Sequence, residues 1–374
     1  MSLRPRVALV HERFTEPGGS EQVVEHLHAA FGGPVHTTVL DRSVLPPGLR
    51  DADVRPSPLT QRLYRGGSSY AHLLPLLPLA MRRTAFDDGL DAVVLSHHAF
   101  ANRATAALPA GVATVSYVHT PARWIWEPEF LAQEVGGTVG RLGLSTFARL
   151  QRRPDRAAAA RVTRLVANSS HVARRIERHW GLPSTVVHPP IDIERFRVDP
   201  TVPREPFFLY AGRLVPYKRP DLAVDAAVDA GVRLVVAGDG RWLPEITRRA
   251  EGHPGVSVLG RVGDDELRSL LQRCTALVFP GEEDFGMVPV EAQACGAPVI
   301  ALGSGGVLDS VTEHTGVLVG DGVEAMADAM RSFDPSAFDP AAIRHHAERF
   351  GPERFAAQMR EQVALAMGSS DLPH

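Results

Sequence analysis

The sequence predicts an α/β protein with two doubly wound, Rossmann-like domains. Its 374 residues exceed what one ordinary hydrophobic core holds. Short apolar runs alternate with helical apolar spacing along the chain, which is typical of parallel sheets covered by helices. The alternation breaks at a proline-rich stretch near the middle and then restarts. We therefore expect each half to form its own parallel sheet.

The predicted strands are the short apolar runs. The first half contributes 7–10, 91–96, 112–118 and 164–168, and the second half contributes 207–212, 233–238, 256–260, 276–279, 298–302 and 316–320. These runs define an N-terminal domain (1–190), a proline-rich linker (191–206) and a C-terminal domain (207–348). We expect residues 349–374 to form a helix that packs back toward the N-terminal domain, with an apolar face made of Phe355, Met359, Val363 and Leu365.

Two doubly wound domains are expected to leave a cleft that faces the carboxyl ends of both sheets. Ligands of such sheets bind at those ends. Polar residues that directly follow a predicted strand are therefore the candidates for function.

Composition excludes several other classes of protein. With 40 basic and 43 acidic residues the net charge is −3, which gives no reason to expect nucleic-acid binding. Cys274 and Cys295 cannot form a disulfide framework and lack the spacing of metal ligands. The N-terminal apolar run is interpreted as a strand rather than a signal peptide. Residues 72–81 are too few to span a bilayer, which takes about 20 residues. These features predict a cytoplasmic protein.

A junction between a loop and a helix carries two acids in the second half. Glu283 and Glu291 lie in "EEDFGMVPVE" (282–291), directly after a predicted strand. Gly286 allows a ligand to approach the backbone, so the N–H groups of Met287 and Val288 can bind an anion at the helix start. Carboxylates also complement a helix dipole there, which explains one glutamate but not both.

Two cations follow the first strand of the second half. Arg213 and Lys218 in "AGRLVPYKRP" (211–220) would stand at the carboxyl end of that strand. They could neutralise a diphosphate, or they could be solvated surface charges. A carboxylate accepts sugar hydroxyls well, whereas cations and backbone amides bind phosphates. Together the acids and cations predict a nucleoside diphosphate that carries a sugar.

These residues resemble the retaining GT-B glycosyltransferases of family four (glycosyltransferase group 1). The resemblance rests on "EDFGMVPVE", "GRLVPYK", "AGDG" (237–240) and "GSGG" (303–306), and it runs from residue 5 to about residue 365. It implies an N-terminal acceptor-binding domain and a C-terminal nucleotide-sugar-binding domain. It also implies a metal-independent, front-face mechanism, with the nucleotide sugar as a substrate and no cofactor.

The resemblance gives each candidate residue in the second half a role. Glu283 would bind sugar hydroxyls, the backbone of 285–288 (Phe285 to Val288) would meet the sugar and diphosphate, and Glu291 would hold the ribose. Arg213 and Lys218 would neutralise the departing diphosphate. Many relatives have glycine where this chain has Asp284, so the sugar preference could differ.

Two stretches of the first half fit the same family. Gly18 and Gly19 lie between the first strand and a helix, where the family brings a glycine loop against the donor; an ordinary turn is the alternative. His119 in "HTPARWIW" would donate a hydrogen bond to the donor sugar or position the acceptor. Arg123 and Trp124 would line the acceptor entrance, although tryptophans here could simply be packed.

The donor expected from the sequence is GDP-mannose. In the family, the loop that corresponds to Val262–Asp264 lies nearest the nucleoside. Guanine can donate two hydrogen bonds to one carboxylate and uracil cannot, so Asp264 favours guanine, whereas Asp265 and Glu266 are expected to begin the next helix. The "HTPARW" stretch is nearest to bacterial mannosyltransferases of surface-glycan synthesis.

Two alternative functions and one further partner stay open at this point. A nucleotide-sugar epimerase shares the GT-B architecture, and a non-catalytic nucleotide-sugar-binding protein would keep part of the site. The arginine-bearing segments 62–86 and 141–164 could lie on an anionic membrane surface at the inner face of the membrane, or they could form solvated faces over a core.

Overall fold

The structure, a computed structural model, describes residues 5–65, 70–127 and 138–370. The chain divides into two compact units. Unit 1 comprises Met1–Pro189 and Glu353–His374, and unit 2 comprises Pro190–Pro352. Each unit contains one parallel sheet with helices on it, so the prediction of two doubly wound domains is confirmed.

Unit 1 is built on a seven-stranded sheet in which every pair of neighbours is parallel. The strand order is β3-β2-β1-β4-β5-β6-β7, with bounds β1 Val7–His11, β2 Val35–Thr37, β3 Val54–Pro56, β4 Ala92–His97, β5 Ala113–Val118, β6 Arg164–Ala167 and β7 Thr185–Val186. Both faces of the central strands are buried, which explains why they read as continuous apolar runs.

The helices of unit 1 cover both faces of this sheet. On β1, Val7 and Leu9 belong to one hydrophobic cluster while Ala8 and Val10 belong to the other. Within the described residues before 190, the α-helices are α1 Gly19–Phe31, α2 Pro58–Gln61, α3 Leu77–Arg82, α4 Arg123–Trp126, α5 Thr138–Ala159 and α6 Ser170–Trp180.

The sequence did not predict β2, β3 and β7. Each has two or three residues, and polar residues such as His36 and Arg55 interrupt their apolar pattern. These strands form because their backbones pair with an established neighbour, as β2 does with β1. The four strands predicted in the first half are confirmed to within one residue at either end.

Unit 2 is built on a six-stranded parallel sheet with the order β10-β9-β8-β11-β12-β13. Its strands are β8 Phe208–Ala211, β9 Leu234–Ala237, β10 Val256–Gly260, β11 Ala276–Phe279, β12 Val299–Leu302 and β13 Gly316–Val319, and all six were predicted. Its helices are α7 Pro220–Ala230, α8 Leu243–Ala250, α9 Asp264–Arg273, α10 Met287–Ala294, α11 Val323–Arg331 and α12 Pro340–Ala347.

Residues 191–206, expected as a linker, lie within unit 2. Ile191 and Phe196 are buried in its core, and the guanidinium group of Arg204 donates to the carbonyl of Cys274 at 2.8 Å. This stretch therefore packs on the unit although it lacks helical or strand periodicity.

The C-terminal helix, α13 (Pro352–Ser370), lies in unit 1. Phe355, Met359 and Val363 are buried in the same hydrophobic cluster as residues of α1 and β1. The ring of Phe355 meets the ring of Tyr117 edge-on at 5.5 Å between centroids. Leu365 was expected on this apolar face and is instead exposed, because the apolar stripe of the helix continues through Ala366.

None of the helices in the described ranges combines the length and the apolar character that a bilayer crossing requires.

Candidate functional site

The order of the strands reverses once in each sheet, and several of the candidate residues follow strands at these two points. In unit 2 the reversal falls between β8 and β11; Lys218 follows β8 and Glu283 follows β11. In unit 1 it falls between β1 and β4, whose last residues include His11 and Ser96. Open α/β sheets bind ligands at the carboxyl ends of strands at such points.

Lys218 and Glu283 form an ion pair in unit 2. The Nζ of Lys218 lies 2.7 Å from Oε1 of Glu283, and the two side chains are 16% and 18% exposed. Burial alone would lower the pKa of Lys218, but the Glu283 carboxylate raises it overall, so the amine stays charged. The sequence assigned these residues to different parts of one ligand, and the structure makes them direct neighbours.

Arg213 lies in the turn after β8 and is exposed. Its guanidinium group donates to the hydroxyl of Tyr217 at 3.0 Å. The same turn is tied to the "AGDG" stretch, because the N–H of Leu214 donates to the carbonyl of Asp239 at 2.8 Å. The hydrogen bond from Arg213 to Tyr217 has a neutral acceptor, which binds a guanidinium group less strongly than a phosphate oxygen does.

The loop before α10 is held by backbone contacts that require glycine. Gly286 has a φ of 87° and precedes Met287, the first residue of α10, with no side chain capping that helix. The N–H of Gly306, in the "GSGG" stretch, donates to the carbonyl of Glu283 at 2.8 Å. A Cβ at Gly306 would lie 2.1 Å from the carbonyl oxygen of Asp284. The "GSGG" stretch thus packs directly against the backbone of the loop that carries Glu283 and Asp284.

Of the residues in this loop and helix, Phe285 and Val288 contribute to packing as well as to the candidate site. Phe285 is 3% exposed and its ring lies 5.6 Å from that of Phe350. Met287 and Val288 are partly buried against the same cluster. Their side chains anchor the helix start, which leaves the backbone N–H groups as the polar groups that they can offer.

Glu291 lies one turn into α10 with an unusual protonation equilibrium. Burial raises its pKa from 4.5 to about 7, although the charges of Arg195 and Lys218 act in the opposite direction. Within the described residues, its carboxylate accepts no side-chain hydrogen bond. A carboxylate with this pKa is about half ionised at neutral pH, so a ligand that needs the ionised form has to displace a proton.

The loop predicted nearest the nucleoside is shorter than expected. The sequence placed Asp264 in that loop and began the helix at Asp265, but α9 begins at Asp264, with Gly263 at its N-cap. Asp264 is 72% exposed and its carboxylate pairs with the guanidinium group of Arg195. All three acids complement the helix dipole, which explains the earlier start. Val262 packs against the core of unit 2.

In unit 1, Gly18 and Gly19 form the start of α1. Gly18 is the N-cap residue and Gly19 is the first helical residue. A Cβ at Gly18 would lie 2.7 Å from Oε2 of Glu21. The glycine therefore makes room for a carboxylate of the protein itself, a reason that the sequence did not reveal.

His119 belongs to a chain of hydrogen-bonded side chains in unit 1. Its Nε2 lies 2.8 Å from Oγ of Ser96, which in turn lies 3.0 Å from Nδ1 of His11. The Nε2 of His11 lies 3.3 Å from Oε1 of Glu21. His11, Glu21 and Ser96 are buried, whereas His119 is partly exposed.

Sequence reasoning missed Glu21, His11 and Ser96. The signal that could have found two of them is position, because His11 and Ser96 lie at the carboxyl ends of predicted strands, as His119 does. Glu12, which directly follows β1, was missed as well. Its buried carboxylate accepts the backbone N–H groups of Ala99, Phe100 and Ala101 at 2.9, 2.6 and 2.7 Å.

Arg123 and Trp124, the expected acceptor-side residues, begin the short helix α4. The ring of Trp124 stacks on that of Phe147 with centroids 5.8 Å apart and belongs to the rim of a hydrophobic cluster. Packing therefore accounts for Trp124. Trp126 is likewise structural, since its indole N–H donates to Oδ2 of Asp155 at 2.8 Å.

Across the residues that the structure describes, no three histidine, cysteine or acidic side chains are grouped closely enough to hold a metal ion. Cys274 and Cys295 are both free and buried.

Two family models match the chain. Residues 17–195 match Glycosyltransferase Family 4, and residues 192–336 match Glycosyl transferases group 1. The two matches adjoin near the boundary between units 1 and 2.

Curated relatives include two enzymes named D-inositol 3-phosphate glycosyltransferase. The one from Streptomyces bingchenggensis (strain BCW-1) is 35% identical over 193 residues, which is 42% of this chain and 41% of the relative. The one from Mycolicibacterium paratuberculosis (strain ATCC BAA-968 / K-10) is 36% identical over 191 residues, or 45% of this chain and 43% of the relative. The chain thus spans less than half the length of the curated relatives it matches. Their names identify inositol-phosphate glycosyltransferases and do not single out mannosyltransferases.

Solved structures share the fold over nearly the whole chain. HepE from Anabaena, in complex with UDP and glucose, has a TM-score of 0.73 and 19% identity, covering 96% of this chain and 100% of that one. Sucrose-phosphate synthase from Thermosynechococcus elongatus has a TM-score of 0.73 and 18% identity, covering 97% and 100%. At such identities the likeness establishes the fold. Matched in both halves, from residue 17 to residue 336, the chain belongs to the GT-B glycosyltransferases of family 4 and group 1.

Proposed function

We propose that this protein is a retaining glycosyltransferase that moves a hexose from a nucleoside diphosphate to a hydroxyl group of an acceptor. The observation that carries the proposal is the Lys218–Glu283 pair at the strand reversal of unit 2. A cation suited to a diphosphate and an acid suited to sugar hydroxyls lie beside the uncapped start of α10, which suits an anion.

The roles follow from the chemistry of each group. Lys218 and Arg213 neutralise charge on the diphosphate as the bond from the anomeric carbon to the phosphate oxygen breaks. Glu283 accepts hydroxyl groups of the sugar, and Glu291 accepts those of the ribose. The acceptor oxygen forms its bond on the face that the phosphate leaves, and its proton passes to the departing phosphate. No metal ion or cofactor takes part in the proposed route.

Ligand arrival exchanges one ion pair for another. Lys218 releases Glu283 and takes a phosphate oxygen, and Glu283 is then satisfied by sugar hydroxyls. A free nucleoside diphosphate provides the phosphate oxygen for Lys218 but no sugar hydroxyl for Glu283. Loss of the Glu283 carboxylate should therefore affect transfer more than it affects binding of the free nucleotide.

The donor that we propose first is GDP-mannose, on the "HTPARW" resemblance and the acid at Asp264. The pairing of Asp264 with Arg195 means that guanine would have to compete for this carboxylate. HepE is described with UDP and glucose, so UDP-glucose is the matched comparison. For the acceptor we propose a glycan, a lipid-linked or a small-molecule hydroxyl. The names of the curated relatives make inositol 3-phosphate the first small molecule to test.

The experiment compares Glu283→Ala with wild type in sugar transfer from GDP-mannose and UDP-glucose to inositol 3-phosphate and to glycan acceptors. Losing a charged hydrogen bond of about 1.5–3 kcal/mol predicts a fall in turnover of roughly 10- to 150-fold, with little change in the dissociation constant of the free nucleotide. Glu282→Ala, which removes the adjacent acid, is the matched control and should retain most of the turnover. An equal loss of nucleotide affinity in Glu283→Ala would contradict the assigned role.

Incubation of a radiolabelled donor without acceptor separates the alternative functions. A transferase leaves the donor sugar chemically unchanged apart from slow hydrolysis. Release of a changed sugar would indicate an epimerase, and binding without any turnover across the acceptor panel would indicate a non-catalytic binding protein.

Peripheral contact with an anionic membrane is a further part of the proposal. In segment 141–164, the guanidinium groups of Arg152 and Arg156 are already bonded within the protein, since they donate to the carbonyls of Ile125 and His179. Contact would therefore depend on other arginines of these segments. Co-sedimentation with vesicles of anionic and of neutral lipid measures it, and equal recovery with both would exclude an electrostatic contact.

A further inference from the structure

A small cavity in unit 1 is lined by arginines that the candidate site does not use. Its volume is about 120 Å³, and three of the residues around it are Arg82, Arg103 and Arg161. The other lining residues, such as Thr105 and Pro154, are neutral. Among the described residues that line the cavity, none carries a carboxylate, so its charged groups all have the same sign.

Three separate elements bring these arginines together. Arg82 ends α3, Arg103 lies in the 3₁₀ helix Ala101–Ala107, and Arg161 lies between α5 and β6. Both α3 and α5 pack on that 3₁₀ helix. Arg82 and Arg161 lie on stretches that lead into strands, whereas ligands of doubly wound sheets bind where strands end. The cavity is therefore separate from the site described above.

Arg103 is the buried member of the three. It is 6% exposed, and its Nη2 donates to the side-chain oxygen of Gln151 at 3.1 Å, which holds the guanidinium group in place. Its buried Nε–H has no hydrogen-bond partner within the described residues. A buried donor on a charged group is unfavourable without an acceptor, so this N–H is a group that an anionic ligand would satisfy.

The positive charge around the cavity has no acid at ion-pair distance. Among the described residues, none of the three arginines forms an ion pair. Burial lowers the pKa of Arg103; Asp155 and Glu12 oppose this, and the like charge of Arg82 adds to it. Both acids are bonded elsewhere, since Asp155 accepts two indole N–H groups and Glu12 accepts backbone N–H groups. Like charges held together in this way are stabilised by a bound anion.

We propose that Arg82, Arg103 and Arg161 bind a phosphate group in this cavity. The donors of a guanidinium group match phosphate oxygens, and a phosphate group has enough oxygens to meet three cations at once. One of these oxygens would accept the Nε–H of Arg103. A single water molecule needs about 10–15 Å³ of such a cavity, so there is room for a phosphate group. The proposal does not depend on sugar transfer.

Two sources of the phosphate group present the same oxygens to the cavity: a soluble phosphate ester and the headgroup of a lipid. Leu79 lies one turn before Arg82 on α3 and is 39% exposed, and Leu150 lies one turn before Pro154 on α5 and is 67% exposed. Apolar side chains beside cations suit a membrane surface. The experiment therefore has a soluble arm and a lipid arm.

The soluble arm follows the Nε–H signal of Arg103 by nitrogen-15 nuclear magnetic resonance while inorganic phosphate is added at constant ionic strength. Sequential resonance assignment identifies this signal without any variant. We expect a saturable shift. In Arg82→Gln and Arg161→Gln the phosphate concentration at half-saturation should rise about tenfold, because each variant removes one charged contact. The signal reports on the cavity alone, so phosphate that binds in unit 2 does not affect it.

Arg83→Gln and Arg153→Gln are the matched controls. Arg83 directly follows α3 and Arg153 lies on α5; both are exposed, and neither lines the cavity. They remove the same charge and should keep the half-saturation of wild type. A rise in the controls equal to that in Arg82→Gln and Arg161→Gln would show a general effect of surface charge and would overturn the proposal.

The lipid arm measures co-sedimentation with phosphatidylcholine vesicles that contain or lack phosphatidic acid. Lower recovery of Arg82→Gln and Arg161→Gln than of the two controls on phosphatidic acid identifies a lipid headgroup as the ligand. Equal recovery of all four variants, together with a saturable shift of the Arg103 signal, identifies a soluble phosphate ester. Equal recovery without a saturable shift would refute the site.

Discussion

The raised pKa of Glu291 makes nucleotide binding depend on pH. Its carboxyl has a pKa of about 7, set mainly by burial. If the ribose hydroxyls bind only the ionised carboxylate, the competent fraction is about 0.9 at pH 8 and about 0.1 at pH 6. The affinity for a nucleoside should therefore fall about tenfold between these two values of pH, which corresponds to about 1.4 kcal/mol.

Titration calorimetry on wild type and Glu291→Gln measures this dependence. The nucleoside is used beside its diphosphate, because the phosphate group titrates in the same range. The glutamine variant should bind weakly with a flat pH profile. Near pH 7, wild type should also release about half a proton on binding, which is visible as a difference in heat between two buffers. Equal pH profiles for wild type and Glu291→Gln would refute the reasoning.

The raised pKa of Glu291 also makes the stability of the folded state fall as the pH rises. The pKa of folded Glu291 lies above its ordinary value of 4.5, so between these values the folded state holds more protons than the unfolded state. The stability linked to this group is complete below pH 4.5 and is lost as pH rises through about 7. Because the side chain keeps some solvent contact, we expect Glu291→Gln to gain on the order of 1–3 kcal/mol over wild type at about pH 8 and little at about pH 5.

The remaining predictions concern the phosphate site and the two cores. Lys218→Ala should weaken binding of a nucleoside diphosphate far more than binding of the nucleoside, with a gap that narrows at high salt; a variant that binds the diphosphate as wild type does would end the assignment. Gly306→Ala should lower the free energy of unfolding by about 1–3 kcal/mol because its Cβ meets the backbone of Asp284, whereas Gly303→Ala, with its nearest atom at 3.3 Å, should cost less; equal denaturant midpoints would contradict this. Met359→Ala should cost about 2–5 kcal/mol because the side chain is fully buried against the sheet of unit 1, and an unchanged midpoint would show that α13 does not stabilise that core.

The sequence predicted the sheets because their strands are buried on both faces, so that apolar runs such as Val7–His11 were visible without any long-range information. It also placed Lys218 and Glu283 at the ends of strands, which needed only the order of the elements. The prediction that Leu365 is buried failed because helical spacing alone does not show which face of the helix packs on the core. The early start of α9 was missed because boundaries depend on a single capping residue, Gly263.

The hydrogen-bonded chain of Glu21, His11, Ser96 and His119 could not be predicted because most of its members are far apart along the sequence. His11 and Ser96 are separated by 85 residues, and only the parallel register of β1 and β4 sets them side by side. Sequence patterns show that two strands exist, but not which residues of a parallel pair are level. The role of Glu12 could not be predicted either, because its partners are backbone N–H groups and the residue types at 99–101 do not indicate them.

The Glu12 carboxylate satisfies one group of backbone donors in unit 1. Its Oε1 accepts the N–H groups of Ala99, Phe100 and Ala101, so that these donors are already bonded to a side chain of the protein. In unit 2 the start of α10 has no such internal occupant among its side-chain caps. If α10 binds a phosphate group as proposed, the two units use backbone N–H groups in opposite ways: unit 1 bonds them to its own carboxylate, and unit 2 keeps them for a ligand. We expect that replacing Glu12 by a residue without an acceptor would remove this partner and let phosphate compete for the same N–H groups.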